Sequence, residues 1–474
     1  MARNSEGMFK MEKIDKNDRR EMILSGSMYR TILILSFPIM INNLIQTIYN
    51  LVDGIWVSKI SSVHFAATAF VFPINFFFIS FGMGLSIAGT SILSQLIGGN
   101  KIDEAKEYSS QLIAITIISS ILFAIIGYIL SPTVIKLMGG TGVFAEYANT
   151  YLRIMFFEIP FMFLFFNINS MMNAQGDTIT PMLLSGGSAL INVILDPIFI
   201  FTLNWGIAGA AWATVLSKAL LAFVGIGIIF GKKNKIRPSF TNFRFDMEKI
   251  KKIIEVGLPI SFGQTGASLG FIILNGFIAS YGTATLAAFA MVNRITSLVM
   301  QPAMGMGAAL TAIVGQNIGA DQVKRAKEAF QKAFRLSLII GVVGCAFLLI
   351  FDSEIINFFI QSEDDPSVIQ LGLTYLGYIS LSMPLMGMFS VFTGLFQGSG
   401  HTKYSMAMEI GRLWLVRIPM ILIFKRFTDM GSTGIWFSMS FSNLIVCIYG
   451  YIMYRKNTWQ EKVVKTKRRI RITE

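Results

Sequence analysis

Four acidic residues stand inside long apolar stretches of the sequence, where an ionised side chain is costly. Placing such a group in a membrane span costs about 2.5 kcal/mol or more, so each one is a functional hypothesis. A contact between helices needs only a neutral amide or hydroxyl, whereas a buried carboxylate must find a cation or a proton. The chemistry open to these residues is therefore the binding of H⁺ or of a hard cation. The four acids are Asp53, Glu158, Asp196 and Glu409.

Two of these acids, Asp53 and Asp196, form a candidate cation-coupling site with Asn192 and Thr214. Asn192 and Asp196 are spaced i, i+4, so they share one helical face. Two neighbouring carboxylates readily hold a proton, because like charges oppose ionisation of both. The same oxygens, together with those of Asn192 and Thr214, suit Na⁺, since hard cations prefer oxygen ligands. The sequence thus predicts one site and leaves H⁺ and Na⁺ as alternatives.

Two prolines are expected to bend the helices that carry these acids. Pro197 follows Asp196 directly and leaves the carbonyl of Val193 without its helical hydrogen bond. Pro38 does the same to the carbonyl of Ile34. Broken helices with free carbonyls are a recurrent way to build ion sites in membranes.

Other polar residues recur at helical spacing on the same segments or on a neighbouring one. Gln46, Tyr49 and Asp53 are spaced i, i+3, i+7 and lie on one face. Asn169 and Asn173 are spaced i, i+4. For these two amides and for the threonine named above, adhesion between helices is an equally good interpretation.

The composition indicates an all-α polytopic membrane protein. Apolar residues make up 53% of the 474 residues and charged residues 14%, against about 25% charged in soluble domains. These values exclude a soluble enzyme and a disordered chain. A span needs about 20 apolar residues. Twelve spans are predicted, at about 31–57, 66–97, 109–137, 147–173, 179–203, 206–230, 253–281, 284–318, 329–351, 368–397, 403–427 and 433–454.

The basic residues predict the orientation. With both termini in the cytoplasm, 31 of the 40 Lys and Arg fall in cytoplasmic segments and 5 in exterior ones, which is the bias of plasma-membrane proteins. The net charge of +13 is then a cytoplasmic collar that sets topology and contacts anionic lipids, and no nucleic-acid partner is expected. The other four bases lie within spans: Lys218, Arg294, Arg412 and Arg417.

An internal repeat divides the chain into two halves. The segment 84–107 is similar to 305–328 at an offset of 221 residues, and Pro38 and Pro259 share that offset. Two parallel six-span units around a central cavity suit alternating access. The predicted organisation is a cytoplasmic tail 1–30, an N-lobe 31–230, a basic linker 231–252, a C-lobe 253–454 and a cytoplasmic tail 455–474.

The second half lacks the acidic set of the first. Asn275 aligns with Asp53, and the pair that aligns with Asp196-Pro197 is Ile418-Pro419. The coupling chemistry is therefore expected in the N-lobe. Glu158 is expected near the exterior interface. The remaining charged residues of the C-lobe spans are expected to pair among themselves: Arg294, Glu409, Arg412 and Arg417.

These features resemble the multidrug and toxic compound extrusion (MATE) transporters of prokaryotes. The likeness rests on the repeat, on the segments 52–57 (VDGIWV) and 192–197 (NVILDP), and on 176–178 (GDT). It implies a secondary active antiporter that exports cationic or amphipathic organic compounds in exchange for H⁺ or Na⁺. It also implies that Asp53, Asn192, Asp196 and Thr214 form the cation site, and that Gln46, Tyr49, Asn169 and Asn173 line the adjoining substrate cavity.

The residue types agree with such a substrate. The chain has 41 Phe and 27 Met, which suit adaptable pockets, and aromatic faces attract organic cations. A lipid-linked oligosaccharide flippase of similar architecture is the alternative, but its anionic substrate favours several cavity bases. A membrane enzyme would need a catalytic cluster, and no HExxH, GxSxG or P-loop motif is present. We expect a monomer with no cofactor beyond the coupling ion.

Overall fold

The structure, a computed structural model, describes residues 16–232, 234–359 and 366–464. The regular secondary structure of these residues is helical throughout, as predicted. The ends of both predicted tails, 1–15 and 465–474, lie outside the described residues. The helices are α1 (Lys16–Ser25), α2 (Met28–Ser58), α3 (Ser62–Gly98), α4 (Ile102–Leu137), α5 (Gly142–Ala174), α6 (Ile179–Pro197), α7 (Gly206–Phe230), α8 (Met247–Ala279), α9 (Thr283–Gly319), α10 (Val323–Ile350), α11 (Asp352–Phe359), α12 (Pro366–Gly398), α13 (Thr402–Ile410), α14 (Ile418–Phe427) and α15 (Ser432–Arg455).

The predicted twelve-span architecture is confirmed, with one difference in detail. Eleven helices in the described ranges are long and apolar enough to cross a bilayer. The predicted span 403–427 is helical too, but a π-helical turn, Gly411–Arg417, separates α13 from α14. A second π-helical turn, Ile198–Thr202, continues α6 after Pro197. Pro38, by contrast, lies buried inside α2 without ending it.

Helix packing repeats between the two halves. In the first half α5 packs against α3, α4 and α7. In the second half α12 packs in the same way against α9, α10 and α15. The first long helix of each half also pairs with the fifth, as α2 with α6 and α8 with α13. This correspondence is what a duplicated six-helix unit produces.

The halves meet where α3 and α9 end. A Cβ atom on Gly98 would lie 1.9 Å from the carbonyl oxygen of Gln316, and one on Gly319 would lie 1.9 Å from that of Gln95. The two backbones are therefore in direct contact, which only glycine permits. The same end of the molecule carries α1 and the described part of the C-terminal tail, whose Val463 amide donates to Gln95 Oε1 at 3.1 Å.

We call the contact between the ends of α3 and α9 the seam. The short helix α1 stabilises it. Arg20 donates to the carbonyls of Ile97 and Gly98 at 2.9 and 2.8 Å, and Arg19 forms an ion pair with Asp177 at 2.8 Å. Arg325 of the second half donates to the carbonyl of Ile23 in α1 at 3.0 Å. The predicted N-terminal tail thus contains a helix that touches both halves, and the end that carries α1 and the described part of the C-terminal tail is closed.

Candidate cation-coupling and substrate site

The centre of the site is the hydrogen-bonded set of Asn192, Asp196 and Thr214. Asn192 Nδ2 donates to Asp196 Oδ1 at 3.2 Å and lies 3.5 Å from Thr214 Oγ1. The i, i+4 spacing on α6 makes the first contact, and α7 supplies the threonine. All three side chains are buried, Asn192 and Asp196 completely.

Helix α2 closes the site from a third side. The Tyr49 hydroxyl donates to Thr214 Oγ1 at 3.4 Å, and Tyr49 is itself buried. Asp53, four residues further along α2, interacts electrostatically with Asp196. The structure therefore brings together four residues of the predicted cation site, although they are up to 161 positions apart.

Two charged residues join this cluster that the sequence did not place there. Glu158 of α5 is buried against other helices, with 6% of its surface exposed, and its expected position near the exterior interface stays a prediction. It interacts electrostatically with Asp53 and with Lys218. Lys218 Nζ lies 5.3 Å above the Tyr49 ring. The spacing of Lys218, i+4 from Thr214, was a sequence signal that could have placed it at the site. No comparable local signal linked Glu158 to α2 and α7.

Three oxygens of the site have no hydrogen-bond partner among the described protein atoms. They are Oδ1 of Asp53, Oδ1 of Asn192 and Oδ2 of Asp196, and all three are buried. Buried acceptors almost always have partners, so this set is prepared to receive a proton or a hard cation. Within the described ranges no group of three or more His, Cys, Asp and Glu residues is arranged to hold a metal. A Na⁺ ion would therefore need the amide and hydroxyl oxygens as well as the carboxylates.

The remaining predicted cavity residues lie at different depths. Gln46 is half-buried on α2, one turn before Tyr49. Asn169 and Asn173 are half-buried on α5, and Oδ1 of each has no partner among the described atoms. Asn173 precedes Ala174, whose carbonyl contacts the second half at the closed seam. It lies roughly 22 Å along α5 from Glu158 at 1.5 Å per residue, so the structure does not bring it to the cation cluster.

The corresponding region of the second half is basic. Arg412 forms an ion pair with Glu409 at 3.3 Å, as expected. Arg417 is buried but bonds only to neutral groups, Ser442 Oγ, the Met439 carbonyl and Asn443 Oδ1. Arg294 is exposed and forms no ion pair within the described part of the chain. The expected pairing of the four C-lobe charges is therefore correct for one pair only.

The six-helix membrane unit is duplicated, the molecule is closed at one end, and one half holds buried carboxylates. Together these features define a two-lobed membrane transporter. The chain belongs to the MatE family, whose model matches residues 38–198 and again 259–423. Both matched segments begin at the paired prolines of the repeat, Pro38 and Pro259. Members of this family are transporters and not enzymes.

Relatives cover nearly the whole chain. The probable multidrug resistance protein YoeA of Bacillus subtilis is 26% identical over 92% of this chain and 96% of its own. The multidrug export protein MepA of Staphylococcus haemolyticus is 24% identical over 90% and 94%. A solved structure described as the outward-facing conformation of a multidrug resistance MATE family transporter superposes with a TM-score of 0.86, at 27% identity over 92% and 97%.

Proposed function

We propose that this protein is a multidrug exporter of the plasma membrane that exchanges amphipathic organic cations for H⁺ or Na⁺. The observation that carries the proposal is the set of buried, unpartnered oxygens on Asp53, Asn192 and Asp196. Relatives named as multidrug resistance and export proteins support the export of organic compounds. They also favour export over the lipid-linked oligosaccharide flippase that the architecture alone would allow.

The closed seam supports an outward-facing conformation. If both termini are cytoplasmic, as the distribution of Lys and Arg predicts, the structure is outward-facing, because α1 and the ends of α3 and α9 close the terminal side. The similarity to an outward-facing relative supports this assignment. In this state the site around Asp53 and Asp196 is positioned to take up an ion from the exterior.

Coupling arises because the ion binds the two conformations with different affinity. Ion binding neutralises a carboxylate and so removes the attraction that holds a cationic substrate. Helix α2 is the element that transmits this change, since it carries Asp53 and Tyr49 at the site and Pro38 nearer the seam. Pro38 removes one helical hydrogen bond, which lets α2 bend there.

The charge of the cluster favours cationic substrates. The cluster contains three carboxylates, Asp53, Glu158 and Asp196, and the ammonium group of Lys218 interacts with the first two of them. An organic cation supplies the missing positive charge when the coupling ion is absent. In this proposal the protein works as a monomer and needs no cofactor.

Efflux of a fluorescent organic cation from proteoliposomes tests the proposal. A pH gradient and a Na⁺ gradient are imposed separately, each with an ionophore control that collapses it. We expect one of the two gradients to drive efflux. Transport that is indifferent to both gradients would contradict ion-coupled exchange.

A further inference from the structure

The second half of the protein contains a buried positive charge without a carboxylate partner. Arg417 has 3% of its surface exposed and forms no ion pair within the described residues. Its bonds go to the hydroxyl of Ser442 at 3.0 Å, the carbonyl of Met439 at 3.1 Å and the amide oxygen of Asn443 at 3.3 Å. These acceptors orient the guanidinium, and none of them carries a negative charge. A buried charge of this kind is costly unless a counter-charge is present.

Arg412 adds a second cation with an incomplete set of partners. Its Nη2 contacts Glu409 at 3.3 Å and its guanidinium stacks over Phe389 at 4.5 Å. Its Nε is buried without any hydrogen-bond partner among the described atoms. Arg412 and Arg417 interact electrostatically with each other and with Glu409. Two guanidiniums thus face one carboxylate, and the cluster has an excess of one positive charge.

Both arginines belong to the π-helical turn Gly411–Arg417. Residues five apart on an α-helix diverge by about 140° around the axis, at 3.6 residues per turn. In a π-helical turn the backbone bonds join residues five apart, so positions 412 and 417 diverge less around the axis than they would on an α-helix. Such turns recur at functional sites in α-helices. The irregularity thus coincides with two bases that are buried and interact electrostatically.

We propose that Arg412 and Arg417 form an anion-binding subsite that takes a single anionic oxygen group, such as a carboxylate or a phosphate. Guanidinium groups recognise such groups through two parallel N–H···O bonds. The subsite lies in the C-lobe, on the span that corresponds to α6 with its Asp196 in the N-lobe. With the proposed export function, on which this part rests, the opposite charges of the two lobes select zwitterionic substrates: the amine goes to the N-lobe and the acid to the C-lobe.

The test uses a matched pair of probes and the full-length protein in detergent. One probe is a fluorescent xanthene amine with a free benzoate, and the other is its methyl ester, which lacks the negative charge. Binding is followed by fluorescence anisotropy. Acetate serves as a free anion that competes with the probes. It replaces a bulky sulfonate in the buffer, so the ionic strength stays constant. Binding in detergent needs no ion gradient, so this result is independent of whether transport is ion-coupled.

The wild-type protein is expected to bind the benzoate probe about tenfold more tightly than the ester, the size expected for a charge-assisted hydrogen bond. R417Q and R412Q should lose this preference, whereas R417K should keep part of it. R294Q, which removes an exposed base of the same half, should behave as wild type. If acetate alone binds and the two probes do not differ, the occupant is a free anion and the anion subsite stands, while zwitterion selection fails.

Two results would overturn the subsite. One is a wild-type protein that neither prefers the benzoate probe nor responds to acetate, which requires no variant to fold. The other is an equal loss of both probes in R417Q together with an unchanged preference in R412Q, since that pattern assigns the arginine a purely structural role.

Discussion

Gln95 and Gln316 occupy equivalent positions of the two halves, and each donates to the end of a helix in the opposite half. Gln95 Nε2 lies 3.3 Å from the carbonyl of Gly398 and 3.1 Å from that of Ser399. Gln316 Nε2 lies 2.7 Å from the carbonyl of Ala174. The repeat thus produces a symmetric pair of caps, which satisfies carbonyls that a helix end leaves unpaired. This pair holds the closed end of the molecule.

Replacing Gln316 should loosen that end. Gln316→Leu removes the donor and leaves the buried carbonyl of Ala174 without it, at a cost of about 1–3 kcal/mol. A lower midpoint of thermal unfolding in detergent, measured by intrinsic fluorescence, is the expected result. Gln370→Leu, at an exposed position of α12, is the matched control and should change little. Equal midpoints for the two variants would show that the cap contributes nothing.

A side chain at Gly98 should separate the lobes. The Cβ atom of Gly98→Ala would lie 1.9 Å from a backbone oxygen, so the two helices must move apart. We expect loss of the closed seam, seen as faster proteolysis of the connection between α7 and α8 and a lower unfolding midpoint. Gly276→Ala is the control, because nothing lies within 4 Å of its Cβ, and alanine in a helix is more stable by roughly 0.5–1 kcal/mol. A Gly98→Ala protein as resistant as this control would contradict the backbone contact.

Removing the charge of Lys218 should tighten cation binding. Lys218 lies above the Tyr49 ring and interacts with Asp53 and Glu158, so it competes with any bound cation. Lys218→Gln is expected to lower the dissociation constant for the coupling ion about fivefold, on the order of 1 kcal/mol. Isothermal titration with Na⁺ and with H⁺ measures this. Lys218→Arg keeps the charge and should leave affinity near wild type; weaker binding in Lys218→Gln would reverse the assigned role.

Asp246 should make the start of α8 sensitive to acid. A hydrogen bond from the Lys249 side chain holds the pKa of Asp246 below its ordinary value, and the carboxylate also accepts from the amides of Glu248 and Lys249. The folded state prefers the ionised form of Asp246. The carboxylate therefore stabilises the fold above a pH of about 4, and this stabilisation disappears as the pH falls through the lowered pKa.

Asp246→Asn keeps a capping side chain but no titrating group, so its unfolding midpoint should fall less than that of wild type between pH of about 5 and 3. Asp246→Ala loses the cap and should cost about 1 kcal/mol at neutral pH. Parallel pH profiles for wild type and Asp246→Asn would exclude this residue as a source of acid sensitivity.

The fold followed from the sequence because its signals are local or repeated. Apolar runs indicate the spans, and identical residues at one offset, such as Gln95 and Gln316, indicate the duplication. The contact between Asn192 and Asp196 follows from i, i+4 spacing on one helix. The π-helical turn at Gly411–Arg417, which packs against α15, was not predicted, since no proline begins it.

The composition of the site depends on contacts between helices that are distant in sequence. Glu158 and Lys218 lie 60 residues apart, and periodicity within α5 or α7 says nothing about which of their faces meet. The caps formed by Gln95 and Gln316 could not be predicted from the sequence either, because their acceptors are backbone carbonyls of the opposite half. A lone acid in a span signals function, but only packing shows whether it joins the cluster.

Transport by carboxylate variants in proteoliposomes tests the central claim most directly. Asp53→Asn and Asp196→Asn keep the side-chain size and remove the charge, while Glu146→Gln removes an exposed acid of the same half as a control. Under the gradient that drives the wild-type protein, we predict that both site variants fall to the level of empty liposomes and that the control retains full efflux. Full ion-driven efflux by both Asp53→Asn and Asp196→Asn would contradict the assignment of the coupling site.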